Sequence, residues 1–447
     1  MHETQHVKER IWLFTKLYIP VTITQLCLIL GAFFAVFQTG QYNTDHLAGF
    51  SIGYNIWITL FTGTQGIFLG ITPIISQLLG AQKEENLRTI IHHAIYLSVA
   101  MGSFFLIGGF LFLKPFIYSL TLTDTAREVA IEYMTAFGIG VIPLLYGVML
   151  RNILDTFGKT HLSMAVVFSG FLINVVANYL LIFGNFGFPE LGGVGAGFAT
   201  ALLSFFNAIA CTIILWKHKH FKNFHIFSNW SPLELSYWLD FLRIGIPIGI
   251  SIFAEVSIFA LATFTMTYFG TEYVAAHQAA YSFTNIFYCF PLSISIASTI
   301  AVAYEIGAKR YDHAKSYSNI ARAMAILIAI IIASYSFTHL DEIASIFSKD
   351  AHMVTLMAHF LSYALFFSVI DAWGTPVQGI LRAYKDVKVV TLIAISCYWG
   401  AGVPLAYLFA LPFEYGPYGI WVGMLGGVGI AGVFYIFRLR YIEKKYR

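Results

Sequence analysis

The chain alternates between long apolar runs and short polar segments. Each apolar run is about 20 residues or longer, the length that a helix needs to cross a bilayer. Charged residues and turn formers collect between the runs. The pattern predicts twelve membrane-spanning helices, near residues 17–38, 50–75, 90–113, 131–150, 162–184, 194–216, 244–268, 275–303, 320–338, 355–380, 389–410 and 419–438.

Composition supports a membrane setting and excludes several classes of protein. The 447 residues are 58% hydrophobic and 11% charged, whereas soluble proteins average about 25% charged residues. We therefore expect an all-α polytopic protein of the lipid bilayer. A net charge of +3 is too small to indicate a nucleic-acid partner. The four cysteines lie in apolar runs, which indicates neither a disulfide framework nor a metal site.

Basic residues are distributed asymmetrically among the predicted loops. Cytoplasmic loops of membrane proteins are enriched in lysine and arginine. If the N-terminus lies inside, 23 of the 26 basic residues fall on the inner side, and only Lys114, Arg127 and Lys349 fall outside. We therefore predict that both termini are cytoplasmic.

The two halves of the chain form an internal repeat. Ile19-Pro20 recurs as Ile246-Pro247 and Gly80-Ala81 as Gly307-Ala308, at a constant offset of 227 residues. Each copy holds six spans, so the copies are parallel repeats. We expect an N-terminal lobe at 1–216, a cytoplasmic linker at 217–240 and a C-terminal lobe at 241–447. Two facing bundles of this kind are typical of transporters.

Two acidic residues, Glu255 and Asp371, lie deep inside predicted spans. A carboxylate at the centre of a membrane helix costs about 2.5–3.5 kcal/mol on insertion scales, so such residues are usually functional. The repeat places Leu28 and Gly140 at the matching positions of the first half. We interpret the two acids as a coupling site for a proton or Na+. The alternative is that each is protonated or paired and only joins helices.

Neutral oxygen atoms near these acids could complete a cation site. Sodium needs several oxygen ligands at fixed positions, whereas a proton needs a carboxylate whose neutral form is favoured by burial and a nearby like charge. Both ions remain candidates. Within the polar faces of these spans, His277 fits a structural role better than proton transfer. The candidate ligands or cavity-lining residues are Ser251, His277, Tyr281, Asn285, Tyr288, Ser368, Thr375 and Gln378.

Polar residues within the spans of the first half are neutral. Asn174 and Asn178 are one helical turn apart and share a face. Such residues either join helices or line a cavity. The candidate cavity residues of the first lobe are Gln25, Gln38, Asn55, Asn174 and Asn178.

Five segments together resemble the multidrug and toxic compound extrusion (MATE) family, in its NorM-like branch, over essentially the whole chain. They are GITPIISQLLGA (70–81), LRNILDTFGKT (150–160), GFPELGGVGAG (187–197), AAHQAAYSF (275–283) and DAWGTPVQGILRAYKD (371–386). The resemblance implies twelve helices in two V-shaped bundles, export of cationic amphiphiles and coupling to Na+ or H+ entry. It also implies that Glu255 and Asp371 match the acids of the family's second-lobe cation site.

The first helix departs from the family pattern. Where the family usually reads Phe-Val-Asp-Thr-Val-Met-Ala-Gly, this chain has Ala35 in place of the acid. Coupling by a first-lobe carboxylate is therefore unavailable, which shifts the expected coupling site to the second lobe.

These observations favour a cation-coupled antiporter over an enzyme. We expect a monomer in the bacterial inner (plasma) membrane that exports small organic solutes by alternating access, with no cofactor besides Na+ or H+ as the coupling ion. One alternative is an exporter of a single endogenous metabolite, siderophore-like or lipid-linked molecule. A more remote one is a membrane-embedded enzyme that uses Glu255 and Asp371.

Overall fold

The computed structural model describes residues 6–120, 122–222 and 224–446, apart from the side chains of Glu84 and Glu85. Within these ranges the chain is helical and contains no β-strand. The helices are α1 (Val7–Tyr42), α2 (Thr44–Gly80), α3 (Glu84–Tyr118), α4 (Asp124–Gly138), α5 (Val141–Thr156), α6 (Thr160–Phe183), α7 (Gly193–Lys217), α8 (Lys219–Lys222), α9 (Leu235–Met266), α10 (Thr271–Gly307), α11 (Tyr311–Thr338), α12 (Leu340–Phe347), α13 (Ala351–Ala383), α14 (Val387–Ala394), a π-helix (Ile395–Gly402), α15 (Val403–Ala410) and α16 (Pro417–Lys445).

The described helices provide twelve spans and confirm the predicted all-α membrane architecture. Eleven helices are long and apolar enough to cross a membrane, and the bent pair α4 and α5 makes the twelfth. The span predicted at 131–150 is not one straight helix in the structure. It consists of α4 and α5, whose axes diverge by 52°. Gly140 lies at this break, and a Cβ atom there would be 2.6 Å from the Cα atom of Ala201 on α7. Glycine therefore allows α7 to pack directly against the break.

The chain forms two compact units, each with its own hydrophobic core. The first unit, called the first lobe, comprises Ile19–Leu242. The second lobe runs from Arg243 to the end of the described chain and includes the described residues up to Tyr18. Phe14, at the start of α1, packs in the second-lobe core with its ring centroid 6.5 Å from that of Tyr317. The predicted linker, 217–240, belongs to the first lobe.

Two adjacent histidines of α3 hold this linker on the first lobe. His92 Nε2 lies 2.7 Å from the carbonyl oxygen of Ile226, and its Nδ1 accepts a hydrogen bond from the backbone N–H of Ser231. His93 Nε2 accepts from the backbone N–H of Glu234. Both histidine side chains are fully buried, so these hydrogen bonds satisfy buried polar groups. They make the linker an integral part of the first lobe.

Helix α13 packs closely against α10 in the second lobe. A Cβ atom at Gly379 would lie 2.3 Å from the carbonyl oxygen of Ser295. The hydroxyl group of Thr299 donates a hydrogen bond of 2.9 Å to the carbonyl oxygen of Gly379. This contact fixes the helix that carries Asp371 against the helix that carries Tyr288.

Because α15 and α16 pack closely, one methyl group added between them should lower the stability of the protein. A Cβ atom at Gly423 would lie 2.1 Å from the backbone nitrogen of Ala406, which can move only with its helix. We expect Gly423→Ala to destabilise the protein by about 1–3 kcal/mol, as overpacking does elsewhere. The measurement is thermal unfolding of the purified protein in detergent.

The control is Gly63→Ala on α2, where a Cβ atom would meet nothing within 4 Å. This change should leave stability unchanged or raise it by up to about 1 kcal/mol, because alanine favours helix. Equal unfolding temperatures for Gly423→Ala and the unaltered protein would contradict the packing described for α15 and α16.

Candidate functional site

Asp371 lies in the middle of α13 and is almost completely buried. Its exposed fraction is 4%. One turn later, the Thr375 hydroxyl group donates a hydrogen bond of 3.0 Å to Asp371 Oδ1. Pro376 follows within the same helix, and its missing N–H leaves the carbonyl group four residues earlier without the usual helical partner. The local sequence thus places several oxygen atoms around one acid.

Glu255 on α9 faces the same region of the second lobe. Its side chain is half-buried and interacts electrostatically with Asp371. The hydroxyl group of Tyr288 on α10 lies close enough to interact with the Glu255 carboxyl group. The structure therefore brings together the two predicted acids, which we call the acid pair, and two of the predicted neutral ligands, Thr375 and Tyr288.

Three further side chains complete the polar centre of the second lobe and were not predicted for it. Arg382 has only 6% of its surface exposed and interacts electrostatically with Glu255 and Tyr288. Tyr398 and Tyr435, also buried, lie within electrostatic range of Arg382 and Glu255. The charge pattern had placed Arg382 in an inner loop. In the structure Arg382 is instead buried in the last turn of α13, which continues to Ala383, beyond the predicted end of the span.

A π-helix positions Tyr398 and clamps α9 beside Glu255. The wider turns of residues Ile395–Gly402 interrupt the span between α14 and α15, and such turns are frequent at functional sites. Within it, Trp399 Nε1 donates to the carbonyl oxygen of Ala254 at 3.3 Å and to Ser257 Oγ at 3.1 Å. These bonds hold the backbone just before Glu255 and the Ser257 side chain just after it.

Other predicted residues of the second lobe have local partners or lie elsewhere. Ser251 donates to Pro247 on α9 and contacts Thr391 on α14. Ser368 donates to the carbonyl oxygen of Ala364 on its own helix. Gln378 is buried, Tyr281 is half-buried and Asn285 is exposed.

His277 is fully buried and has a local partner. Its Nε2 lies 3.0 Å from the Thr263 hydroxyl group, which itself donates to the carbonyl oxygen of Phe259. His277 Nε2 therefore carries the proton in this contact. The ring also packs near Trp421, which supports the structural role expected for this residue.

Of the first-lobe candidates, only Asn174 and Asn178 have a hydrogen bond between their amide groups among the described contacts. Asn178 Nδ2 donates to Asn174 Oδ1 at 3.0 Å, and Gln38 Nε2 donates to the carbonyl oxygen of Val175 at 3.4 Å. Gln25 is half-buried, and Asn55 is exposed. Ala35 is 8% exposed and belongs to an apolar cluster with Phe50, Tyr133, Ile182 and Ala196.

The acid pair is suited to protons or a monovalent cation. Within the described residues, no group of three or more His, Cys, Asp and Glu side chains could hold a metal ion. The two carboxyl groups could accept protons. Alternatively, their oxygen atoms and the hydroxyl oxygens of Thr375 and Tyr288 could surround Na+. The acid pair is therefore the candidate cation site of the second lobe.

Comparison with known proteins agrees with this architecture. The family profile described as MatE matches residues 20–180 and 247–408. The two matched segments begin 227 residues apart, as the sequence repeat predicts. The chain belongs to the MatE family. This confirms the resemblance to MATE transporters found in the sequence.

Relatives of similar length support the same assignment. The chain is 39% identical to "Probable multidrug resistance protein NorM" of Bacillus cereus over 446 residues, covering 100% of this chain and 99% of the relative. A protein of the same name from Bacillus subtilis is 36% identical over 446 residues, covering 100% and 99%.

Solved structures show the same fold. An outward-facing multidrug resistance MATE family transporter of the MOP superfamily aligns with a TM-score of 0.90 at 19% identity, covering 100% of this chain and 99% of that one. A MATE protein in its straight conformation aligns with a TM-score of 0.89 at 19% identity, again covering 100% and 99%. These likenesses confirm the twelve-span MATE fold.

The apolar surroundings of Ala35 predict that this MATE protein will not tolerate an acid there. We expect Ala35→Asp to destabilise the protein by about 1–3 kcal/mol, because the cluster offers no charged partner. The loss should be larger at pH 8 than at pH 5. In the unfolded chain the new carboxyl group ionises freely, whereas in the folded protein it must carry an unpaired charge or keep its proton, at a cost that grows with pH. Thermal unfolding at the two pH values measures this.

Ala35→Ser provides the control of similar size without a charge, and its effect should not depend on pH. An Ala35→Asp protein that is as stable as the unaltered one at pH 8, or that binds a coupling cation in its first lobe, would contradict this account.

Proposed function

We propose that this MATE protein is a secondary antiporter. It exports cationic or amphipathic organic solutes in exchange for Na+ or H+ by alternating access. The observation that carries the proposal is the acid pair, Glu255 and Asp371, in the membrane interior of the second lobe. Two carboxyl groups in such a place need a compensating positive charge, and a coupling ion provides one that can leave.

Exchange follows if the cation and the solute favour different conformations. A ligand shifts a conformational equilibrium only by its differential affinity for the two states. A cation bound to the acid pair would favour the conformation that releases solute outward. Loss of that cation to the cytoplasm would favour the conformation that takes up solute. Glu255 is partly exposed whereas Asp371 is buried, which is consistent with entry of the ion past Glu255.

The proposed substrates are drug-like organic solutes, and the relatives support this class. Two relatives of nearly identical length carry the name of a multidrug resistance protein. Aromatic side chains make up 17% of the residues, and aromatic faces bind organic cations through stacking and cation–π contacts. We place the protein in the bacterial plasma membrane, as a monomer with both termini in the cytoplasm.

Asp371→Asn tests the assignment of the coupling site. The amide keeps the size of the side chain but cannot take up a proton or provide a full negative charge. We expect cation-driven uptake of ethidium into everted membrane vesicles to fall by about tenfold or more, equivalent to roughly 1.4 kcal/mol or more. Gradients of Na+ and of H+ are imposed one at a time, and the gradient that drives uptake identifies the coupling ion.

Asp341→Asn is the matched control, since it makes the same chemical change at an exposed position at the start of α12. Its transport should equal that of the unaltered protein. Equal amounts of folded protein in the membrane must be shown for both variants. Full gradient-driven uptake by Asp371→Asn would exclude Asp371 from coupling.

A further inference from the structure

Arg382 is a buried charge that the proposed exchange does not by itself explain. It lies in the last turn of α13, with 6% of its surface exposed. Its Nε atom is buried and has no hydrogen-bond partner among the described residues. A buried, incompletely paired guanidinium group is costly unless nearby negative charge stabilises it. The acidic group with which Arg382 interacts electrostatically is Glu255.

The arginines at matching positions of the two lobes interact with different acidic residues. Arg151 occupies the matching position of the first lobe and interacts electrostatically with Asp155, four residues later. The corresponding acid of the second lobe, Asp386, is instead bound by Arg438 of α16 through two hydrogen bonds of 2.6 and 3.1 Å. Because Arg438 neutralises Asp386, Arg382 is available to interact with the acid pair.

We propose that Arg382 is the fixed counter-ion of the acid pair and sets its affinity for the coupling cation. The inference rests on the proposed function. It adds Arg382 as a permanent positive charge beside the acid pair, where the coupling cation binds and leaves. With both acids ionised, two negative charges and one positive charge leave a net charge of −1. One monovalent cation then neutralises the centre, so we expect one cation to bind in each cycle.

The remaining groups that face the acid pair do not change this charge balance. They are Tyr288 from α10, Tyr398 from the π-helix and Tyr435 from α16, all phenols that are neutral at ordinary pH. Without Arg382, two carboxylates would face each other with no fixed positive charge, and the centre would hold a cation more tightly. Arg382 therefore weakens cation binding enough for the ion to be released.

Arg382→Met tests this role in liposomes that contain the purified full-length protein. Ethidium transport is driven by Na+ at fixed pH and, separately, by a pH gradient without Na+. Removal of the fixed charge should lower the half-saturating Na+ concentration at least about tenfold, or raise the half-maximal pH by about one unit if protons drive transport. Arg382→Lys, which keeps the charge, should stay within about threefold of the unaltered protein.

Arg151→Met is the control for loss of an arginine from the same position of the repeat, where Arg151 is half-buried. It removes the partner of Asp155, so it should affect stability while leaving the half-saturating cation concentration within about threefold. Arg382→Gln is a second neutral variant that retains a hydrogen-bond donor, and it replaces Arg382→Met if methionine prevents assembly.

The outcomes separate this inference from the proposed function. An unchanged half-saturating concentration in Arg382→Met or Arg382→Gln overturns the counter-ion role, as does an equal shift in Arg151→Met. Asp371→Asn is measured in the same liposomes. If it retains gradient-driven transport, the proposed coupling site itself is wrong. If it abolishes transport while the arginine variants leave affinity unchanged, the coupling site stands and only the role of Arg382 is overturned.

Discussion

The cost of keeping two carboxyl groups inside an apolar helical bundle governs the second lobe. Three neighbouring side chains of Glu255 and Asp371 reduce that cost. Thr375 donates a hydrogen bond to Asp371, and the hydroxyl group of Tyr288 interacts with Glu255. Arg382 supplies a buried positive charge. Under the proposed antiport mechanism, a transported cation would provide the positive charge that this centre still lacks.

The two lobes share a plan of helices and differ in the chemistry of matching positions. Asp371 lies in the unbroken α13, whereas its counterpart Gly140 lies at the bend between α4 and α5, pressed against Ala201. The first lobe also has Ala35 in an apolar cluster where the family usually has an acid. The second lobe therefore holds two acids within its spans, whereas the matching positions of the first lobe, Leu28 and Gly140, carry no ionisable group.

The sequence predicted the features that hydropathy and repetition record directly. Twelve spans, the repeat and the isolated acids at 255 and 371 follow from apolar runs and a constant offset. It did not predict the inward position of Arg382, because an arginine just past an apolar run usually extends to the membrane surface. Tyr398 was missed because the π-helix changes which residues share a face, and no residue type in Ile395–Gly402 marks that change.

Direct cation binding to the purified protein tests the central claim, that the coupling ion binds at the acid pair of the second lobe. Equilibrium binding of radioactive Na+ and the protons taken up at saturation are measured for the unaltered protein and for the double variant Glu255→Gln, Asp371→Asn. We expect about one cation per unaltered protein, as the net charge of the centre requires, and none in the double variant. Cation binding of equal affinity and amount in the folded double variant would contradict the account.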